Sequence, residues 1–307
     1  MRKALQRTLA ILACCLWLTG PVNKPAGAAA ENGETTMGIQ TETVTVNDFS
    51  MDYIRFGHSD RVLVILPGLS VESVMKYGDA VAQAYAPLTD AFTIYLFDRR
   101  KELPETYSIY DMARDTLAAF DALDLGPVNL FGASQGGMIA MTIAAEAPER
   151  VAGLVLGSTA ARVDPVRYPL FDEWIRLAKE GDAEALYLAF GKAIYPPVVF
   201  EQSRDLLAAS AADVTEQDLA RFVILAEGIR DFDVTDRLGS ITCPVLILGS
   251  KDDSVLGGEA SEEIAEKLKD RPDCELFLYD GYGHAVYDLA PDYKARMLRF
   301  LVPETAE

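Results

Sequence analysis

Histidine, cysteine and positive charge are all scarce in this 307-residue chain. It contains two histidines and four cysteines, and 28 Lys and Arg against 47 Asp and Glu give a net charge of −19. So acidic a protein repels phosphate backbones and anionic lipid surfaces, which argues against nucleic acid as a partner. The cysteines lack the spacing of a metal site. We therefore expect no nucleic-acid partner, no metal and no cofactor.

Long apolar runs are scarce too, and the N-terminal one is short. Residues 9–18 are apolar, follow three basic residues and precede the small residues 28–30. A run of about ten residues is too short to span a bilayer comfortably. The order of basic, apolar and small residues is typical of a secretory signal. We expect cleavage after Ala30, export, and no stable membrane insertion afterwards. A lipid anchor at Cys14 or Cys15, or an uncleaved anchor, is the alternative.

After such a cleavage Cys243 and Cys274 would be the cysteines left. Each lies near the start of an apolar strand, and an exported protein can be oxidised. The sequence leaves open whether they form a disulfide or remain small reduced core residues.

Apolar strands alternate with helical stretches over most of the chain. Such alternation indicates βαβ units and a mostly parallel sheet, and the first two extended runs suggest an antiparallel start. The strands are predicted at residues 41–46, 51–56, 62–66, 92–97, 128–131, 151–157, 245–248 and 275–279. The helices between them are predicted at residues 72–85, 110–123, 135–147, 259–268 and 291–301.

The alternation stops between residues 163 and 240, where no convincing strand occurs. Four helix-like stretches fill this region, at residues 171–179, 183–194, 200–209 and 215–225. We interpret residues 163–240 as a helical insertion packed over one edge or face of the sheet. Residues 1–30 are then a signal peptide, 31–40 a polar leader, and 41–162 with 241–307 the α/β core.

One short stretch carries a chemical signature. An apolar strand enters Gly132-Ala133-Ser134-Gln135-Gly136 and a helix leaves it. This is the nucleophile-elbow pattern, in which a serine lies at the tip of a tight strand-to-helix turn that only glycine neighbours allow. The N-terminus of the helix points free N–H groups at an anion that forms on attack by the serine. Ser134 is therefore the candidate nucleophile.

A serine nucleophile needs a base, and an acid to orient that base. His284 follows the last predicted strand, whereas His58 lies in a turn between two early extended runs and is expected to be exposed. Asp252 and Asp253 follow another strand. Loops that follow parallel strands meet at one edge of the sheet. We predict that Ser134, His284 and one of these two aspartates meet there.

The chain order Ser, Asp, His and several local motifs resemble the α/β-hydrolase superfamily over residues 41–301. The matching pieces are Gly132–Gly137, Pro148–Val151, Pro244–Gly249 and Gly283-His284. The resemblance implies an α/β-hydrolase fold: a mostly parallel central sheet flanked by helices, with an inserted helical cap.

The resemblance also assigns roles. In that family the acid usually stands three residues past the glycine that ends its strand, which favours Asp252 over Asp253. It places the two oxyanion-hole donors at the backbone N–H groups of Leu69 and Gln135. Two departures are visible: Pro67-Gly68 replaces the His-Gly of many relatives, and the residues after Asp98 do not follow the usual glycine-rich loop.

These features predict an exported serine hydrolase that acts on a small ester-type acyl substrate through an acyl-enzyme. One alternative keeps the triad for carbon–carbon bond hydrolysis, a lyase reaction or acyl transfer. Another is a ligand-sensing relative with slow turnover. The natural substrate, its acyl chain length and the oligomeric state are not determined by the sequence.

Overall fold

The computed structural model describes residues 38–303, so the predicted signal peptide and most of the polar leader lie outside the described residues. The strands of this part are β1 Thr41–Val46, β2 Phe49–Phe56, β3 Val62–Leu66, β4 Thr93–Arg100, β5 Val128–Ala133, β6 Val151–Gly157, β7 Val245–Ser250 and β8 Cys274–Tyr279. The helices are α1 Gly78–Tyr85, α2 Ile109–Ala122, α3 Gln135–Glu146, α4 Tyr168–Lys179, α5 Ala183–Ile194, α6 Pro197–Ser210, α7 Glu216–Glu227, α8 Glu259–Lys267, α9 Val286–Leu289 and α10 Tyr293–Leu301.

These eight strands form one sheet in the order β1-β2-β4-β3-β5-β6-β7-β8. Strands β3 to β8 run parallel, while β1 and β2 pair antiparallel at one edge. The interior strands β3, β5 and β7 are almost entirely buried, as expected when helices cover both faces. The predicted fold class is confirmed.

Strand order brings the chemically interesting loops together. β5 pairs with β3, although β4 follows β3 in the chain. Such a change of direction opens a crevice at the carboxyl ends of the strands, where α/β proteins bind ligands. The loops that follow β3, β5, β7 and β8 therefore end at the same edge.

The residues between β6 and β7 form the four helices α4 to α7. Four buried aromatic side chains of this region pack on one another: Trp174 lies 5.4 Å from Phe171 and 4.6 Å from Phe190 between ring centroids, and Phe190 lies 6.2 Å from Phe222. These four rings form a small aromatic core within the insertion.

The structure departs from the sequence expectations in a few elements. The strand predicted at residues 92–97 is longer than expected: β4 continues through Asp98-Arg99-Arg100, and Met51 of β2 pairs with Arg100. The additional short helix α9 follows His284. Cys274 lies opposite Val245 in the β7–β8 ladder, so the strands near both cysteines are neighbours. Both Cys243 and Cys274 are free thiols.

None of the helices in residues 38–303 is both long and apolar enough to cross a lipid bilayer.

Candidate active site

Ser134 lies at the tip of a sharp turn between β5 and α3. Its backbone has φ 51° and ψ −120°, a conformation that residues other than glycine rarely adopt. The flanking glycines permit the turn: a Cβ on Gly132 would lie 2.6 Å from the Cα of Gly137, and one on Gly136 would lie 2.5 Å from the carbonyl carbon of Leu66. The sequence prediction of a tight strand-to-helix turn at Ser134 is confirmed.

Hydrogen bonds hold the strained residue in place. The Ser134 N–H donates to the Gly157 carbonyl of β6 at 2.8 Å. The Ser134 carbonyl accepts from the Thr159 hydroxyl at 2.7 Å and from the Gly137 N–H at 2.9 Å. Because strained backbone persists only where its surroundings over-determine it, these contacts fix the position from which the side chain projects.

His284 lies in the loop after β8, and its ring is buried. Its Nδ1 is 2.8 Å from Oδ2 of Asp253, and both side chains are about 3% exposed. The other oxygen of Asp253, Oδ1, accepts from the N–H groups of Val255 and Leu256 at 2.8 and 3.1 Å. The carboxylate is thus fixed by its own turn and presents one oxygen to the imidazole.

The prediction that Asp252 is the partner of His284 is wrong. Asp252 is an exposed residue whose carboxylate accepts from the Ser250 hydroxyl at 2.6 Å and from the N–H groups of Gly281 and Gly283, each at 3.0 Å. Burial alone would raise the pKa of Asp252, but these hydrogen bonds outweigh it and lower the pKa below its usual value. Asp252 therefore supports the backbone of the histidine loop, while Asp253 contacts the ring.

One cavity of about 60 Å³ touches Ser134, His284, Gly68 and Leu69. Most of its other lining is apolar and includes Phe190 and Ile194 of α5, Val81 and Tyr85 of α1, and the strand residues Ile65, Leu96, Phe131 and Ala133. The cavity therefore joins the loops after β3, β5 and β8 to one helix of the insertion. It brings together the predicted Ser134, His284 and Leu69.

The two predicted oxyanion donors flank the serine. Leu69 lies in the loop after β3 and lines the cavity, and Gln135 is the first residue of α3. A Cβ on Gly68 would lie 3.2 Å from Cβ of Ser134, so the β3 loop and the serine are in close contact. The Gln135 side chain points away to the insertion, where its Nε2 donates to the Leu225 carbonyl of α7 at 2.8 Å.

Sequence reasoning missed a buried charged pair beside these donors. Arg99 and Asp98 are 4% and 6% exposed at the end of β4. The Nη2 of Arg99 donates to the Pro67 carbonyl at 2.7 Å and to Oε1 of Gln135 at 3.2 Å. Burial lowers the pKa of Arg99 to about 10, although neighbouring Asp98 opposes this shift, so the guanidinium is charged at neutral pH.

A second buried carboxylate was also missed. Glu72 is 3% exposed in the segment after the β3 loop. It accepts from the hydroxyls of Tyr77 and Tyr187 at 2.9 and 3.0 Å and pairs with Lys76. Burial and the charge of Glu72 raise the pKa of both tyrosines. Since Tyr187 belongs to α5, Glu72 connects the core to the insertion.

The remaining predictions about ligands concern metals and His58. Within residues 38–303, no group of three or more His, Cys, Asp and Glu side chains is arranged to hold a metal ion. His58 is exposed in the loop between β2 and β3, as expected.

Known proteins match this arrangement at the level of the family. The family model described as the alpha/beta hydrolase fold matches residues 61–291, most of the chain. The chain belongs to the α/β-hydrolase family. As a member of that family it is a hydrolase.

Individual curated proteins are similar in sequence as well. "Putative carbamate hydrolase RutD" of Agrobacterium fabrum is 32% identical over 225 residues, covering 70% of this chain and 85% of the relative. A protein of the same name from Rhizobium rhizogenes is 31% identical, covering 71% and 86%.

Solved structures share the fold. MGS-M2, an alpha/beta hydrolase enzyme from a deep-sea metagenome library of the Medee basin, superposes with a TM-score of 0.77 at 23% identity, over 87% of this chain and 99% of its own. The enol-lactonase from Burkholderia xenovorans gives 0.73 at 19% identity, over 85% and 99%.

Proposed function

We propose that the protein is an exported serine hydrolase that cleaves a small ester-type acyl substrate through Ser134, His284 and Asp253. The contact between His284 and Asp253 supports this most strongly. It joins a buried imidazole and a buried carboxylate at 2.8 Å, in a loop that shares a cavity with the strained serine. A buried base oriented by a carboxylate beside a serine matches the requirements of nucleophilic catalysis.

The proposed mechanism follows from the different roles of the two ring nitrogens of His284. With Nδ1–H donating to Asp253, Nε2 is the free acceptor that takes the proton of the Ser134 hydroxyl during attack on the acyl carbon. The same nitrogen then protonates the leaving group, and Asp253 stabilises the charged ring. Water repeats the sequence on the acyl-enzyme and releases the acid.

The negative charge on the acyl oxygen needs donors in place before the reaction. We assign this role to the backbone N–H groups of Leu69 and Gln135, at the loop after β3 and at the start of α3. The positive end of the α3 dipole adds to their effect. Loss of one such donor typically costs about 3–4 kcal/mol of transition-state stabilisation.

The cavity supports a short acyl group. A cavity needs about 10–15 Å³ to hold one water molecule, so a cavity of about 60 Å³ has room for only a few small chemical groups. Its mostly apolar lining favours an uncharged substrate. A carbamate is the second candidate, because two relatives that are 32% and 31% identical to this chain carry the name of a carbamate hydrolase.

Export is part of the proposal and is supported by the N-terminal sequence alone. The basic residues, the apolar run 9–18 and the small residues 28–30 have the order of a cleavable signal.

The test is hydrolysis of esters by purified residues 31–307. We expect turnover of p-nitrophenyl acetate and butyrate, weaker turnover of the octanoate, and a fall in kcat of about 10⁴-fold or more in Ser134→Ala. Phenyl acetate and phenyl carbamate share a leaving group, so their kcat/KM ratio separates the two substrate candidates.

Other outcomes would identify the alternatives. Equal activity in wild type and in a folded Ser134→Ala variant would reject the proposed nucleophile. One acylation without further turnover would favour a ligand-sensing relative. Labelling of Ser134 without hydrolysis of any ester or carbamate would favour carbon–carbon cleavage, a lyase reaction or acyl transfer.

A further inference from the structure

Arg99 is an unusual residue for the end of a central strand, because its charge is removed from water. The residue is 4% exposed, and its Nε is buried without a hydrogen-bond partner. Burying a charged group with an unsatisfied donor lowers stability unless its other contacts compensate. The contacts that Arg99 does make therefore indicate what the guanidinium contributes.

One nitrogen of Arg99 joins the two segments that carry the proposed oxyanion donors. Its Nη2 donates to the Pro67 carbonyl at 2.7 Å and to Oε1 of Gln135 at 3.2 Å. Pro67 begins the loop that contains Leu69, and Gln135 immediately follows Ser134. The guanidinium thus lies between the β3 loop and the start of α3.

The β3 loop needs such a support because it lies against the serine. A Cβ on Gly68 would already lie 3.2 Å from the Ser134 Cβ. A fixed Pro67 carbonyl sets the direction of the next peptide groups, including the Leu69 N–H. Since donors must lie about 2.7–3.1 Å from the oxyanion, a small displacement of this loop removes one of them.

The neighbouring Asp98 contacts the backbone of Arg99 and connects this end of β4 to the insertion. Its carboxylate accepts from the Arg99 N–H at 2.7 Å, from the Ser73 hydroxyl at 2.6 Å and from Nη2 of Arg221 in α7 at 2.6 Å. Gln135 is held from the opposite side by the Leu225 carbonyl of the same helix at 2.8 Å. Asp98 and Gln135 are therefore each held by α7 as well as by their contact with Arg99.

We propose that Arg99 is a positioning residue of the oxyanion hole, whose guanidinium sets the separation between the Leu69 and Gln135 N–H groups. The inference rests on the proposed function, because it requires that these two N–H groups stabilise the transition state. Arg99 itself does not touch the substrate cavity, since it is absent from the lining of the cavity around Ser134.

The test compares Arg99→Met, Arg99→Lys and the control Arg221→Met in the full-length protein. Methionine fills the space without donors, whereas lysine keeps the charge and loses the planar fork. For Arg99→Met we expect kcat to fall about 100-fold with KM within about threefold, the pattern of a lost transition-state interaction. Arg99→Lys should recover part of that loss. Arg221→Met removes a partner of Asp98 and leaves both Arg99 contacts, so its kcat should fall less than tenfold.

A transition-state analogue supplies a readout that general destabilisation does not move. A trifluoromethyl ketone with the acyl group of the best ester forms an oxyanion on Ser134. Its affinity should fall in proportion to kcat across the Arg99 variants, while the melting temperature need not follow. If Arg99→Met fails to fold, Arg99→Lys and Gln135→Met replace it in the test. Gln135→Met loses the side-chain acceptor and keeps the backbone N–H. In both variants we expect kcat and the affinity for the ketone to fall in parallel.

The outcomes separate the two proposals. Wild-type kcat in a folded Arg99→Met variant, or an equal loss in Arg221→Met, overturns the role of Arg99 and leaves the hydrolase intact. A wild-type protein that hydrolyses no ester or carbamate and does not bind the ketone overturns the proposed function and this inference with it.

Discussion

The serine turn and the histidine loop line the same cavity, yet different interactions determine the geometry of Ser134 and of the His284–Asp253 pair. Around Ser134, glycines a few residues apart permit a backbone that other residues would block. His284 and Asp253 are 31 positions apart, and only the packing of β7 beside β8 brings them together. The serine turn can therefore be predicted from a local sequence motif, whereas the partner of the histidine depends on how the loops after β7 and β8 lie side by side in the folded chain.

A shift of one residue decides that partner. Asp252 turns toward the backbone of the histidine loop, and Asp253 turns inward to the ring. Both carboxylates thus act on His284, one through the loop backbone and one by direct contact. Substitutions at these two aspartates and at the serine turn test whether backbone sterics control one region and side-chain contacts control the other.

The largest effect is expected at Gly136, which lies directly against the backbone of Leu66 in β3. Gly136→Ala should lower the free energy of unfolding by about 3 kcal/mol or more and abolish esterase activity, because the added Cβ collides with the Leu66 carbonyl. Chemical denaturation measures the first effect and ester hydrolysis the second. Gly126→Ala is the matched control, since its Cβ would meet nothing within 4 Å. Equal behaviour of the two variants would show that the serine turn is not sterically constrained.

A smaller loss, confined to catalysis, is expected at Asp253. Asp253→Asn should lower kcat by about 10⁴-fold, because an amide can hold the imidazole in the wrong tautomer. Asp252→Asn is the control for charge and size at the adjacent position, and its loss of kcat should be far smaller. Steady-state kinetics on one ester decides between them. A larger loss in Asp252→Asn would restore the assignment suggested by the family pattern.

The smallest effect concerns stability in acid. Hydrogen bonds lower the pKa of Asp252 in the folded protein, so its ionised form adds stability above the unfolded pKa of 3.8, and this is lost as pH falls through the lower folded value. Wild type should therefore have a higher melting temperature than Asp252→Asn above about pH 5. The difference should shrink toward pH 3. A difference that is constant from pH 7 to pH 3 would exclude this origin.

Much of the fold was predictable because its signals are local. Apolar strands such as β3 and the helical periods of α5 were placed correctly from the sequence, as was the turn at Ser134. The first departure lies at Asp98 and Arg99, two charged residues beyond residue 97, where the predicted strand ends. They remain in β4 because partners distant in sequence, Pro67 and Arg221 among them, satisfy their charges.

The same reason explains the other misses. Glu72 was assigned to a helix, but it is buried because hydroxyls from two separate elements reach it. The choice between Asp252 and Asp253 depends on Gly281 and Gly283, which lie on another loop. Polar groups satisfied by distant partners leave no periodic signal in the sequence.

The most direct test of the central claim is to locate the covalent adduct of a fluorophosphonate probe by peptide mass spectrometry. If His284 and Asp253 activate the serine, wild type should be labelled stoichiometrically on Ser134, and Asp253→Asn should be labelled far more slowly than Asp252→Asn. A folded protein that is not labelled, is labelled on another serine, or is labelled equally fast in both variants would contradict the account.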